Sequence, residues 1–193
     1  MADNGCLLMK TKCFSDARGF FTEIWKEPQK NEFFSMLQWN LSKSLRNTIR
    51  GLHYNIRQPQ AKMIRVPQGA ILDVVIDLRF ESPDYGIVKE YFLDKPSDCL
   101  FIPAGFAHSF WSLEDNTFVL YGCSDLYDPE FDRGISPLDT QFVFPWVGNI
   151  DECYITEKDK NWPAFDLTKK HFALESKDRF GCINYYIQSG EVL

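Results

Sequence analysis

From Thr48 to about Phe144, short runs rich in Val, Ile, Leu, Phe and Tyr are broken by turn signals: Pro67-Gln68-Gly69, Ser82-Pro83-Asp84, Pro96-Ser97-Asp98, Pro103-Ala104-Gly105 and Glu114-Asp115-Asn116. Proline presets φ for a turn, glycine admits positive φ, and Asp, Asn and Ser bond their own backbone, so each cluster ends an extended run. Strands of this length at this spacing predict a mainly all-β protein, an antiparallel sandwich or barrel. The run from Ile71 to Leu78 places Leu72, Val74, Ile76 and Leu78 on one apolar face. Ile71, Asp73, Val75 and Asp77 share the other, whose two carboxylates are expected to meet solvent or a polar cavity. Lys62 and Arg65 interrupt another apolar run, which reads as an edge strand with one wet face. Residues 27–37 read as one short helix before the strands, and a helical tail is expected after Lys158. The stretch from His171 to Leu193 gives mixed signals.

Composition narrows this picture. With 193 residues the chain is long enough for one full core and short for two, and it shows no repeat or linker, so one domain over 1–193 is expected, with the place of 170–193 left open. Aromatic residues make up 16%, mostly Phe, which favours pleated, half-buried surfaces. A formal charge of -6 argues against general nucleic-acid affinity but leaves room for a small anion held by a few arginines. No apolar run approaches the length of a membrane span, and Met1 to Asn4 lack the basic head of a signal peptide. The six cysteines are scattered without a C-x-x-C pair, so reduced thiols in the cytoplasm are expected.

Only three histidines, His53, His108 and His171, are available as metal ligands, with no H-x-H or H-E-x-x-H spacing. A metal needs several donors converging on one point, so neither metal nor cofactor is expected. There is no glycine-rich phosphate loop. Any phosphate would fall to Arg18, Arg50, Lys62 or Arg65, since guanidinium forks match phosphate oxygens. Taken singly, His53, His108 and Tyr121 read equally well as buried structural residues with one satisfied hydrogen bond.

Taken in order, several segments change that reading. They are Asp16-Ala17-Arg18-Gly19-Phe20-Phe21-Thr22-Glu23, Gln38-Trp39-Asn40-Leu41-Ser42-Lys43-Ser44, Ile49-Arg50-Gly51-Leu52-His53-Tyr54, Gln60-Ala61-Lys62, Ile102-Pro103-Ala104-Gly105-Phe106-Ala107-His108, and Ser124-Asp125-Leu126-Tyr127-Asp128-Pro129. In this order and spacing, from about residue 10 to about 163, the chain resembles the dTDP-4-dehydrorhamnose 3,5-epimerase family. The resemblance implies a cupin jelly-roll homodimer that needs no metal and acts on a nucleoside-diphosphate 4-keto-6-deoxy sugar. It implies His53 as general base, Asp159 as the carboxylate paired with it, and Tyr121 as general acid across the sugar ring. Lys62 and His108 are implied around the sugar. Arg18, Glu23, Gln38, Asn40, Arg50, Tyr127, Asp132 and Lys158 are implied in binding the nucleoside diphosphate or sugar, part of the N-terminal segment reaching the partner subunit's site.

The chemistry calls for these residue types. A C4 ketone acidifies the protons at C3 and C5 because the carbanion is delocalised as an enolate. Inversion removes a proton from one face and returns one to the other. Histidine, with an ordinary pKa of about 6.5, can serve as base, and tyrosine, at about 10, remains a donor at neutral pH. A cation beside O4 stabilises the developing charge. Leu41, Asn55, Ser109 and Asp132 depart from the family pattern, as do Ser136-Pro137-Leu138-Asp139-Thr140 and Phe144-Pro145. These leave the acid and base intact but open the nucleotide base and the inverted carbon. A sugar 3,4-ketoisomerase, a non-catalytic nucleotide-sugar-binding cupin and a metal-dependent dioxygenase are the competing readings. The paired His53 and Tyr121 suit inversion better than carbonyl migration, and a binding module should have lost one of them.

Overall fold

A computed structural model describes residues 5–26 and 35–171. The helix expected over 27–37 therefore lies almost entirely outside the described residues, and Ser35 to Leu37 are not helical. Residues 172–193 lie outside them as well. The strands are β1 (Leu7–Lys10), β2 (Cys13–Asp16), β3 (Gly19–Thr22), β4 (Gln38–Ser44), β5 (Ile49–Asn55), β6 (Lys62–Gln68), β7 (Ile71–Asp77), β8 (Val88–Leu93), β9 (Asp98–Ile102), β10 (Phe106–Ser112), β11 (Thr117–Cys123) and β12 (Asp132–Gly134). A 3₁₀ segment at Val147–Glu152 and the one-turn helix α1 (Glu157–Lys160) follow.

Two five-stranded antiparallel sheets carry the structure, ordered β1-β9-β6-β11-β4 and β12-β5-β10-β7-β8, with β2 and β3 as a separate hairpin. Four of the five turn clusters predicted between Thr48 and Phe144 fall at or beside a strand end, and Ser82-Pro83-Asp84 lies within the connection between β7 and β8. Gly69 and Gly105 take the positive φ their turns require. From β4 onward the chain crosses repeatedly between sheets, so neighbours in sequence face each other across the core. Ile64, Val66, Leu100, Ile102 and Val119 of the first sheet pack there against Ile71, Val75, Leu93, Phe106 and Phe110 of the second.

The outer face of the second sheet is covered by the chain that follows β12. Leu52, Val74, Ile76, Leu78 and Ala107 meet Ile135, Phe144, Trp146 and Phe165 in a second cluster. Phe144 and Trp146 stack with centroids 4.8 Å apart, and the indole donates to the Pro137 carbonyl at 2.9 Å. Burying such a side chain is worth roughly 1.5–3 kcal/mol each, which holds an irregular segment against the sheet.

Four sequence expectations need correction. β6 is the central strand of its sheet, not an edge; Lys62 faces inward and Arg65 is buried, donating to Thr11 Oγ1 and the Pro96 carbonyl. Asp73 and Asp77 meet no solvent: Asp77 binds Arg79 and Ser82, and Asp73 binds His108. Among the described residues the helical tail is a single turn, because Pro163 forbids its continuation. Among the described residues strands also begin earlier than Thr48, at Leu7, and the last ends at Gly134, since most of Ile135 to Phe144 serves as cover rather than ladder.

Candidate active site

Strand register builds the site. In the first sheet Tyr121 lies opposite Asn40, and Cys123 lies opposite both Gln38 and Lys62. Directly opposed residues of an antiparallel pair project to one face, so these five side chains share the inner face of that sheet. In the second sheet His53 lies opposite His108 on one side and Gly134 on the other, and Asn55 lies opposite Asp132. Between the walls is a cavity of about 330 Å³ lined by Gln38, Asn40, Lys62, Tyr121, Cys123 and Tyr127, by His53, Tyr54, Asn55, Phe106 and Asp132, and by Pro59, Gln60, Gly105 and Lys158.

His53 is held from behind. Its Nε2 is 2.6 Å from Asp159 Oδ1, so a proton on Nε2 is donated to the carboxylate and the lone pair is left on Nδ1. A third of the His53 side chain is exposed, whereas Asp159 is nearly covered. Thr156 caps α1 by accepting from the Asp159 N–H at 3.2 Å, and the Asp159 carboxylate also accepts from Gly51 N–H at 3.4 Å. Burial pushes the Asp159 carboxyl up, but its bonds to His53, Gly51 and Thr156 outweigh this and hold it below the usual carboxylate range. β5 approaches β10 so closely at Gly51 that a Cβ there would stand 2.5 Å from the His108 carbonyl oxygen.

Across the cavity, burial raises the Tyr121 phenol above its ordinary range, aided by Cys123, so it remains protonated at neutral pH. Burial also lowers Lys62, against the pull of Cys123, Asp132 and Asp73. At the rim Asp132 Oδ2 accepts from Lys158 Nζ at 2.7 Å and from the Tyr127 hydroxyl at 3.2 Å. Gln38 donates to Asn40 at 2.9 Å and accepts from the Tyr127 N–H at 2.8 Å, which fixes its amide.

Of the residues expected from sequence, His53, Lys62, Tyr121, Gln38, Asn40, Tyr127, Asp132 and Lys158 come together around this cavity. Asp159 backs His53, and His108 sits beside it, bound to Asp73. Arg18, Glu23 and Arg50 do not line it. Arg18 is exposed at the tip of the β2–β3 hairpin, paired with Asp16 at 2.6 Å; Glu23 is exposed; Arg50 bonds Ser44 and the Lys43 carbonyl. Sequence reasoning missed Asn55, Phe106, Cys123 and the role of Asp73. Alternation could have found two of them, since Asn55 and Cys123 follow His53 and Tyr121 by two residues. Among the described residues no three His, Cys, Asp or Glu side chains group closely enough to hold a metal.

The sequence model of the dTDP-4-dehydrorhamnose 3,5-epimerase family matches residues 2–166. The chain belongs to this family. A dTDP-4-dehydrorhamnose 3,5-epimerase from Methanothermobacter thermautotrophicus is 39% identical over 82% of this chain and 89% of its own. A crystal structure of the Bacillus anthracis dTDP-4-dehydrorhamnose 3,5-epimerase with TDP and PPi bound superposes with a TM-score of 0.77, at 34% identity, covering 86% of this chain and 98% of that one. A 3'-monoepimerase from Streptomyces bikiniensis in complex with dTDP-quinovose superposes with a TM-score of 0.76, at 30% identity, covering 85% and 84%. The family thus includes members named for inversion at two carbons and a structural neighbour named for inversion at one.

Proposed function

We propose that this chain inverts C3 and C5 of a dTDP-linked 4-keto-6-deoxy sugar, as an isomerase of deoxysugar biosynthesis. The observation that carries the reading is the His53–Asp159 pair on one wall of the cavity, with the Tyr121 phenol on the wall made by the other sheet. His53 removes the proton next to the ketone, and Asp159 stabilises the imidazolium as it forms. Lys62 stabilises the negative charge arriving on O4, where an enclosed cation acts more strongly than in water. Tyr121 delivers a proton to the opposite face. Each positioned acid or base contributes about 10² to 10⁴ in rate. Asn40, Gln38, Tyr127, Asp132 and Lys158 hold the sugar and the diphosphate, while His108, which does not line the cavity, backs the wall beside His53 through its bond to Asp73.

The rest of the proposal is architectural. The two sheets form a cupin jelly roll, residues 1–193 make one domain, and the protein works in the cytoplasm without a metal. It acts as a homodimer in which Arg18 or Glu23 completes the neighbour's site. Support comes from the exposure of both residues, which stand apart from their own chain's cavity, and from the exposed Phe14, Phe20 and Phe21 on the same hairpin.

The test is NMR of 4-keto-6-deoxy nucleotide sugars in deuterated water. One deuterium at C3 and one at C5, with both centres inverted, is the expected result for the dTDP sugar. Deuterium at C3 alone marks a monoepimerase, and migration of the carbonyl marks a ketoisomerase. No exchange with any sugar of the panel contradicts the proposal.

A further inference from the structure

Trp162 does not line the cavity, yet the backbone brings its ring against two groups that do. Gly134 of β12 lies directly opposite His53 of β5, so a side chain at Gly134 would project beside the imidazole. The indole occupies that space instead. A Cβ on Gly134 would come within 2.4 Å of Trp162 Cδ1 and Nε1 and within 2.6 Å of Cε2. Indole and imidazole meet at 73° with centroids 6.4 Å apart. The same indole carries the Lys158 ammonium 5.5 Å from its ring centre, while that ammonium bonds Asp132.

Trp162 follows α1 closely and donates its backbone N–H to the Asp159 carbonyl at 3.4 Å. A single short stretch therefore delivers both the carboxylate on the imidazole's Nε2 and the aromatic ring against it. The indole Nε1 is buried without a hydrogen-bond partner among the described residues. Among the described residues no polar contact accounts for a tryptophan here. The shape of the ring does.

We propose that Trp162 is a positioning residue for proton abstraction, one that holds the His53 imidazole against Asp159 and steadies Lys158 at the cavity rim. The proposal rests on the epimerase reading. Losing the ring frees the imidazole to rotate away from the geometry set by Asp159, and small misplacements of a catalytic group are costly in rate.

The experiment compares Trp162→Ala, Trp162→Phe and Gly134→Ala with the parent, reading kcat and KM for deuterium entry at C5, affinity for dTDP, and thermal midpoint. Trp162→Ala should lower kcat for exchange about tenfold or more, with a smaller rise in KM. Trp162→Phe, which keeps a ring and removes the unpaired N–H, should recover most of the loss. Gly134→Ala, which displaces the indole while retaining it, should reproduce the defect. In an Asp159→Asn background Trp162→Ala should cost little further, because both act through one imidazole. Exchange within about twofold of the parent in both Trp162→Ala and Gly134→Ala would overturn the proposal. So would an equal loss in both backgrounds, or a loss that follows the thermal midpoint alone. A parent protein that exchanges no proton at all would overturn the epimerase reading instead.

Discussion

Two histidine–aspartate pairs stand side by side in the second sheet, and they differ in almost nothing except surroundings. His53 meets Asp159 at 2.6 Å and His108 meets Asp73 at 2.7 Å, both through Nε2, and the two imidazoles belong to directly opposed residues of β5 and β10. A third of the His53 side chain is open, against less than a tenth for His108. Asp159 arrives on α1 from outside the sheets, its carboxylate accepting from the Gly51 N–H and its own N–H capped by Thr156, whereas Asp73 belongs to β7 and is wholly buried. Burial drives His108 below the ordinary histidine range, even against the pull of Asp73. The same pairing thus sits open to a cavity in one place, where the proposed function needs a base, and forms a neutral, enclosed hydrogen bond in the other. Access and hydration, rather than residue type, separate the two.

The contrast can be broken at several points. The largest effect is expected from the wall facing His53. Tyr121→Phe should lower formation of inverted product by about 10³, while deuterium still enters the substrate, because the base can return a proton to the face it came from. Tyr127→Phe should not show this pattern, since its hydroxyl is committed to Asp132.

Next comes the buried pair. His108→Leu strands the Asp73 carboxyl in the core without its hydrogen-bond partner, and leaving such a buried acceptor unsatisfied costs about 1–3 kcal/mol. Chemical denaturation should register this as a lower midpoint with an unchanged slope. For the open pair, Asp159→Asn should lower turnover about 30-fold, less than removing the base, because the amide still orients the ring. Its denaturation midpoint should move less than that of His108→Leu.

The smallest effect is on pH dependence. An unfolded histidine takes up a proton below about 6.5, whereas folded His108 remains neutral to lower pH. The unfolded state then binds more protons, so stability is present above that pH and falls as pH drops through the folded pKa. His171, also lowered by burial, acts with the same sign. Denaturation between pH 7.5 and 5.5 should therefore show a slope that shrinks, without vanishing, in His108→Leu.

Much of the fold was legible because its signals are local. Pro67-Gln68-Gly69 and Pro103-Ala104-Gly105 demand turns wherever they occur, and the alternation in Ile71 to Leu78 fixes which residues share a face. Sheet order is not local, and it explains the misreadings. Lys62 and Arg65 look like edge residues until β6 is seen between β9 and β11, where one charge faces a cavity and the other is covered. The opposition of His53 and His108 depends on a β5–β10 register containing an irregularity near Gly51, which no spacing rule reveals. The catalytic candidates themselves were found through resemblance, since His53 alone gave no reason to prefer a base to a structural histidine. Trp162 carried no motif. Its place became visible only through the absent side chain of Gly134.

The most direct test of the contrast is proton exchange measured side by side in His53→Asn and His108→Asn. Each folded variant would be held with the dTDP-linked 4-keto-6-deoxy sugar in deuterated water, and deuterium at C3 and C5 followed by NMR. With His53 as the base at the cavity and His108 enclosed beside Asp73, His53→Asn should admit no deuterium at either carbon, while His108→Asn should continue to exchange. Exchange near the parent rate in His53→Asn, or its complete loss in a folded His108→Asn with His53→Asn still active, would contradict the assignment of the two pairs.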